Sequence, residues 1–114
     1  QINLLSKLVA AEARGESYEG QVAVAAVVLN RVQDSRFPDS IEGVIYQKNA
    51  FSVVRNGYIK AERTEESDKA VKDALYGNDP TNNAIYFWNP DISTCNWINT
   101  LNPHLRIGNH VFAR

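Results

Sequence analysis

Glu12 is the residue whose surroundings suggest chemistry. Helical residues advance by about 100 degrees each. Glu12 stands seven after Leu5, four after Leu8 and three after Val9, in the middle of their apolar stripe, where a leucine would ordinarily stand. Desolvation disfavours the charged form of a carboxyl group and raises its pKa toward neutrality. A general acid needs that shift if it is to arrive protonated and leave as carboxylate. The position suggests a glycosidase-type acid. The alternative is that Glu12, near the end of its helix, turns outward to pair with Arg14 or Arg31. Glu16 follows Gly15 and reads as a loop carboxylate or as a cap for the next helix.

Other chemistries have less footing. A hydrolytic glycosidase usually presents two carboxylates, but Asp34, Asp39, Asp79 and Asp91 all stand in turn-like contexts, where Asp commonly serves the backbone. His104 and His110 have no Cys or acidic partner at zinc-ligand spacing, so no metal site and no cofactor are assigned. Cys95 is the sole cysteine, which excludes an intrachain disulfide. As a nucleophile it would need a neighbouring base that the sequence does not identify.

These residues need elements to position them. A chain of 114 residues has the length of one domain, able to bury roughly two thirds of its unfolded surface around one core; residues 1–114 are read as a single domain. Leu4, Leu5, Leu8, Val9 and Ala11 predict a helix over Asn3–Arg14, with Asn3 as cap and Gly15 as stop. Glu19–Gln33 is apolar around most of its circumference, which predicts a helix in the middle of the fold. Asp39 with Glu42 resembles a capping box opening a short helix through Val44, Ile45 and Tyr46. Asn56-Gly57 between β-favouring runs predicts a hairpin. Thr64, acidic Glu65 and Glu66, and the series Ala70, Val71, Ala74 and Leu75 predict a last helix stopped at Gly77. NAIYFWNP and HVFAR then predict two strands that pair antiparallel, with Asp91–Leu105 a long loop between them. The fold class is α+β, three or four helices plus a small antiparallel sheet.

Twelve Lys and Arg against thirteen Asp and Glu leave a net charge of −1. That is no basic field of the kind nucleic acid or anionic lipid requires. No segment has the apolar length of a membrane span. The chain starts at Gln1 with no basic leader region, so it is read as an excised or processed domain.

The run Glu12-Ala13-Arg14-Gly15-Glu16, the run from Tyr18 to Val32, Phe37-Pro38, Gly43 to Gln47, Ala50-Phe51-Ser52, Asp79-Pro80-Thr81, Tyr86 to Pro90, Trp97 and Ile107 to Phe112 together resemble the SleB/CwlJ family of cell-wall hydrolases, which includes the spore cortex-lytic enzymes. The resemblance covers nearly the whole chain. It implies a lysozyme-like helical catalytic domain with a small antiparallel β-sheet. The implied activity is that of a lytic transglycosylase on the bond between N-acetylmuramic acid and N-acetylglucosamine. Glu12 matches the catalytic glutamate, which protonates the glycosidic oxygen and then takes a proton from the muramic C6 hydroxyl as a 1,6-anhydro ring closes. The implied partner is the peptidoglycan glycan strand, in vegetative wall or in spore cortex with its muramic δ-lactam. The setting is extracytoplasmic, in cortex or cell wall during germination, reached by an export signal absent from this chain. A monomer is expected, and a regulatory protein partner is left unspecified. Cys95 departs from the serine more often found there, and Ala113 from a frequent cysteine or tyrosine.

Glycans are held by aromatic faces and by amide or hydroxyl groups. Phe51, Ser52, Tyr86, Trp88, Asn89 and Trp97 are therefore the candidate substrate-binding residues. In a strand Tyr86 and Trp88 share one face and Ile85 and Phe87 the other. Tyr86 and Trp88 are expected to line the cleft; alternatively they pack the sheet against a helix. Trp97 is either a sugar platform or a loop anchor. Competing functions are a hydrolytic muramidase, an amidase at the lactyl-peptide bond, which usually wants a metal or an activated Cys, and a non-catalytic wall-binding module, which would gain little from a buried carboxylate.

Overall fold

The computed structural model describes residues 1–114. Four helices and five short strands follow in order: α1 (Ile2–Glu12), α2 (Tyr18–Val32), α3 (Ile41–Tyr46), β1 (Val54–Arg55), β2 (Tyr58–Ile59), α4 (Glu65–Leu75), β3 (Tyr86–Trp88), β4 (Leu105–Ile107) and β5 (His110–Ala113), with a 3-10 turn at Ile98–Thr100. The α+β class is as the sequence predicts. No helix is long and apolar enough to cross a membrane.

The centre is α2. Every residue from Gly20 to Val28 is buried, because one side of the helix meets α1, α3 and α4 while Ala23 and Val27 on another side meet Ala84, Ile107 and Phe112 of the sheet. An element covered on all sides must be apolar all round, and its alanines let the neighbours approach. Ser17 caps it, accepting from the Gly20 N–H at 3.2 Å. Across the helical core, Ser6 of α1 and Ser67 of α4, both fully buried, share a 2.8 Å hydrogen bond. Ser6 also donates to Asp68 at 2.6 Å. A buried hydroxyl pair left half-satisfied is costly, so this contact pins α1 against α4 in one register.

α4 is amphipathic, burying Ser67, Ala70, Val71 and Ala74 at helical spacing. Thr64 caps it as expected, in a reciprocal capping box whose other member is Ser67. It ends in a Schellman pattern, the Gly77 N–H on the Ala74 carbonyl and the Asn78 N–H on the Asp73 carbonyl, with Gly77 at φ +101°.

Two caps differ from expectation. Asn3 is not the cap of α1: the helix begins one residue earlier after Gln1, and the Asn3 amide oxygen instead accepts from Arg63. Ser40, not Asp39, caps α3, accepting from the Gly43 N–H at 2.9 Å. Asp and Ser both cap helices, so at α3 the choice falls to where the preceding turn ends, whereas α1 begins at Gln1 with no side-chain cap.

The sheet runs β3-β5-β4, all antiparallel. Pairing of β3 with β5 follows the sequence pattern, with Phe87 opposite Phe112. The strand β4 was not expected; its residues begin inside the stretch assigned to the long loop. The turn at Gly108 and Asn109 folds β4 back onto β5, which satisfies a ladder that β3 alone would leave open on one side. The small hairpin of β1 and β2 turns at Asn56 and Gly57, both at positive φ, as a two-residue turn of this kind demands.

Phe112, fully buried where the sheet meets α2, should be the costliest aromatic to truncate. Phe112→Ala is expected to lower unfolding stability by about 4 kcal/mol and Thr64→Ala by about 1 kcal/mol, read from urea denaturation of the two variants beside the parent.

Candidate active site

Glu12 is the last residue of α1. Leu5, Leu8 and Val9 drive the preceding turns into the core, so the helix carries its final carboxyl down to the floor of an open cleft of about 600 Å³. Burial pushes the Glu12 carboxyl up to about 7, against the opposing pull of the Arg31 cation. Its place at the carbonyl end of a helix, where partial negative charge gathers, acts in the same direction as burial.

Arg31 fixes the electrostatics of the cleft. It is buried near the end of α2. Its Nε donates to the Ile85 carbonyl at 2.7 Å, and its guanidinium carbon lies 5.0 Å from the ring centre of Phe37, 5.3 Å from Phe51 and 5.6 Å from Tyr86. An aromatic cage holds a cation by the ring quadrupoles. Glu12 has no ion-pair partner within 4 Å, neither Arg31 nor Arg14. The surface-pairing alternative is thereby set aside. The caged guanidinium stands near enough to favour the carboxylate after proton loss, and not so close that it abolishes the neutral acid. Burial lowers the Arg31 pKa from its ordinary value, with Tyr86 and Glu12 opposing.

Glu16 is the only other carboxylate lining the cleft, and both its oxygens are engaged, Oε1 by the Asn109 N–H at 3.1 Å and Oε2 by the Asn109 amide at 3.0 Å. It ties the loop after α1 to the β4–β5 turn. A Cβ on Gly108 would push the Glu16 carboxylate out of this clamp, and the backbone there, at a φ of +59°, is one that L side chains rarely adopt. No aspartate lines the cleft; Asp34 is spent on Arg36, Asp79 on Thr81, Asn30 and Asn83, and Asp91 on Arg106 at 3.6 Å.

The six candidate binding residues divide. Phe51, Ser52, Trp88 and Asn89 line the cleft with Glu12. Phe51 is buried, stacked on Phe87 and under Arg31, and Ser52 is exposed at the rim. Asn89 spends its Oδ1 on the Asp91 N–H at 2.9 Å, leaving its amide nitrogen free. Tyr86 and Trp97 lie outside that lining and pack edge to face on one another at 5.4 Å. Tyr86 closes the Arg31 cage, while Trp97 leans on it from the loop, still more than half exposed. Alternation in β3 holds, with Trp88 packed on Val111 and Ala113 of the outer face. Phe87 on the opposite face nevertheless reaches the cleft too.

Sequence reasoning did not single out Arg31, Phe87 or His110 as site residues. His110 also lines the cleft, its Nδ1 buried without a partner; burial lowers its pKa, with Glu16 opposing. A cation in an otherwise apolar helix was the available signal for Arg31. No group of three or more His, Cys, Asp and Glu side chains gathers as metal ligands would.

The fold and the cleft define a small α+β domain that offers one unpaired, protonatable carboxyl group in an open groove. The chain belongs to the cell wall hydrolase family, whose pattern matches residues 15–113. It is 48% identical to the spore cortex-lytic enzyme of Oceanobacillus iheyensis over 113 residues, 99% of this chain and 41% of that protein. The chain thus spans about two fifths of that relative's length. Among solved structures, the catalytic domain of the Bacillus cereus SleB protein superposes with a TM-score of 0.90 at 48% identity, covering 99% of this chain and 88% of that one. The catalytic domain of the germination-specific lytic transglycosylase SleB from Bacillus anthracis superposes with a TM-score of 0.92 at 47% identity, covering 99% and 93%.

A carboxyl whose pKa is raised on folding contributes stability that is complete below about 4.5 and is lost as pH rises through about 7. At pH 8 the native state carries a penalty of about 3 kcal/mol. Glu12→Gln should be more stable than the parent by about that amount at pH 8 and no more stable at pH 4, in paired denaturation curves. Equal stability at pH 8 would remove the desolvated-acid reading.

Proposed function

We propose that this chain is the catalytic domain, residues 1–114, of a peptidoglycan lytic transglycosylase that cleaves between N-acetylmuramic acid and N-acetylglucosamine outside the cytoplasm, in spore cortex during germination. The observation that carries the reading is the Glu12 carboxyl, pushed up to about 7 by burial and unpaired in the cleft. At neutral pH a large fraction of it is protonated, as a general acid must be.

The chemistry needs one carboxyl group used twice. Glu12 gives its proton to the glycosidic oxygen, the bond from that oxygen to the muramic anomeric carbon breaks, and N-acetylglucosamine leaves with its 4-hydroxyl restored. The Glu12 carboxylate, now favoured by Arg31, accepts the proton of the muramic C6 hydroxyl as that oxygen bonds the anomeric carbon and closes the 1,6-anhydro ring. Glu12 ends protonated, ready for another cycle. A retaining or inverting hydrolase would want a second free carboxylate, and the candidate, Glu16, has both oxygens committed to Asn109. The likeness to the germination-specific lytic transglycosylase SleB of Bacillus anthracis and to spore cortex-lytic enzymes supports the same reading. Ser52, Trp88 and Asn89 would contact sugar from the cleft wall. Phe51 and Tyr86 would act through Arg31, and Trp97 would brace Tyr86.

Glu12→Gln should lower cleavage of purified cortex peptidoglycan by at least about a thousandfold, and the parent should release anhydromuropeptides identifiable by mass spectrometry. Reducing muramic ends would mean a hydrolytic muramidase, free stem peptides an amidase, and no product from folded protein a binding module. The rate should fall on the alkaline side as pH rises through about 7, where Glu12 loses its proton. Arg31→Met should move that limb upward, because the cation that opposes protonation is gone, and should cost about 1–3 kcal/mol of stability by orphaning the Ile85 carbonyl.

A further inference from the structure

Beside the cleft lies a second, larger depression of about 820 Å³. Its floor is apolar, with Ala10 and Ala11 from α1 and Ile59 from β2. Its rim carries Arg14, Arg55 and Lys60, and no carboxylate lines it. None of these three cations enters an ion pair. In a chain of net charge −1, three unpaired cations around one concavity form a local positive field with a low-dielectric base, an arrangement that concentrates anions. Arg14 and Ser52 border both this depression and the cleft that holds Glu12. The two are therefore continuous, and a substituent on a strand lying in the cleft can enter the depression.

We propose that this depression binds the carboxylate-bearing stem peptide of the glycan strand and so favours cleavage at muramic residues that carry one. The inference rests on the reading of the cleft as a peptidoglycan site. A stem joined to muramic acid through its lactyl group combines free carboxylates with alanine methyls and methylenes. The rim cations answer the carboxylates and the apolar floor answers the rest. A muramic δ-lactam has no stem and gains nothing there, so the depression would discriminate between the two kinds of muramic residue. The β1–β2 hairpin holds Arg55 and Lys60 in place: Arg55 stands opposite Tyr58 in the ladder, and Lys60 follows Ile59, whose side chain is buried.

The test is binding to soluble glycan strands bearing stem peptides and to the same strands stripped by an amidase, with Glu12→Gln as the background so that nothing is cleaved. Stem-bearing strands should bind about fivefold more tightly than stripped ones, as two or three exposed charge pairs would give. The preference should vanish in Arg55→Gln/Lys60→Gln and at high salt, with affinity for stripped strands unchanged. The charge-conserving Arg55→Lys/Lys60→Arg should keep it. Equal weakening on both strands would make the depression a further sugar subsite and overturn the proposal, as would the absence of any stem preference or of any binding. Cleavage assays with native Glu12 separate the two readings. Stem-dependent binding without cleavage would remove the transglycosylase reading and leave the stem site standing, and cleavage without stem dependence would remove the stem site alone.

Discussion

A carboxyl group is largely desolvated at the end of α1 and is denied an ion pair, and much of the remaining structure serves to make that arrangement tolerable. A buried carboxylate with a direct partner would be a salt bridge, ionised and chemically idle. With no cation nearby it would hold its proton more tightly still and make a weaker acid. Arg31 resolves this by standing near Glu12 while bound to something else. Its Nε is held by the Ile85 carbonyl and its face by three aromatic rings, so it cannot swing over to neutralise the acid.

That anchoring explains why helices and sheet are joined as they are. Arg31 comes from α2, Phe37 from the turn after it, Phe51 from the segment before β1, and Tyr86 and the Ile85 carbonyl from β3. The cage closes only when β3 lies along α2, and β3 lies there because Ala23 and Val27 pack against Ala84 and Phe112. Sheet, central helix and the electrostatics around Glu12 are coupled through one side chain. A defect in sheet docking should therefore alter the acidity of Glu12 before it unfolds the helices.

Features governed by nearby residues were legible in the sequence: the apolar stripe that contains Glu12, the all-round apolar α2, the Asn56-Gly57 turn, the Thr64 cap. Features that depend on residues far apart were not. Glu16 meets Asn109 across 93 positions, and nothing local to either announces it. The short β4 was hidden because Leu105, Arg106 and Ile107 are too few to show a period. It forms only because β5 is there to pair with. Alternation along β3 follows the sequence, yet it does not decide which residues reach the cleft, since the opposite-face Phe87 lines it with Trp88 while Tyr86 turns to Arg31. Face is a property of the strand, and access to a groove is a property of what packs above it.

The free energy stored at Glu12 bears on how such a domain is built. Ionising that carboxyl in the folded state opposes folding, and the opposition grows through the pH range in which the acid would work. The serine pair between α1 and α4 and the Glu16 clamp on Asn109 fall on either side of the strained residue, one before it on the helix and one just after. Local opening at the end of α1 would hydrate Glu12, lower its pKa and discharge the acid without global unfolding. Contacts that look purely structural thus keep the proton in place, and loosening either one should appear first as a downward shift in the alkaline limit of activity rather than as a fall in melting temperature.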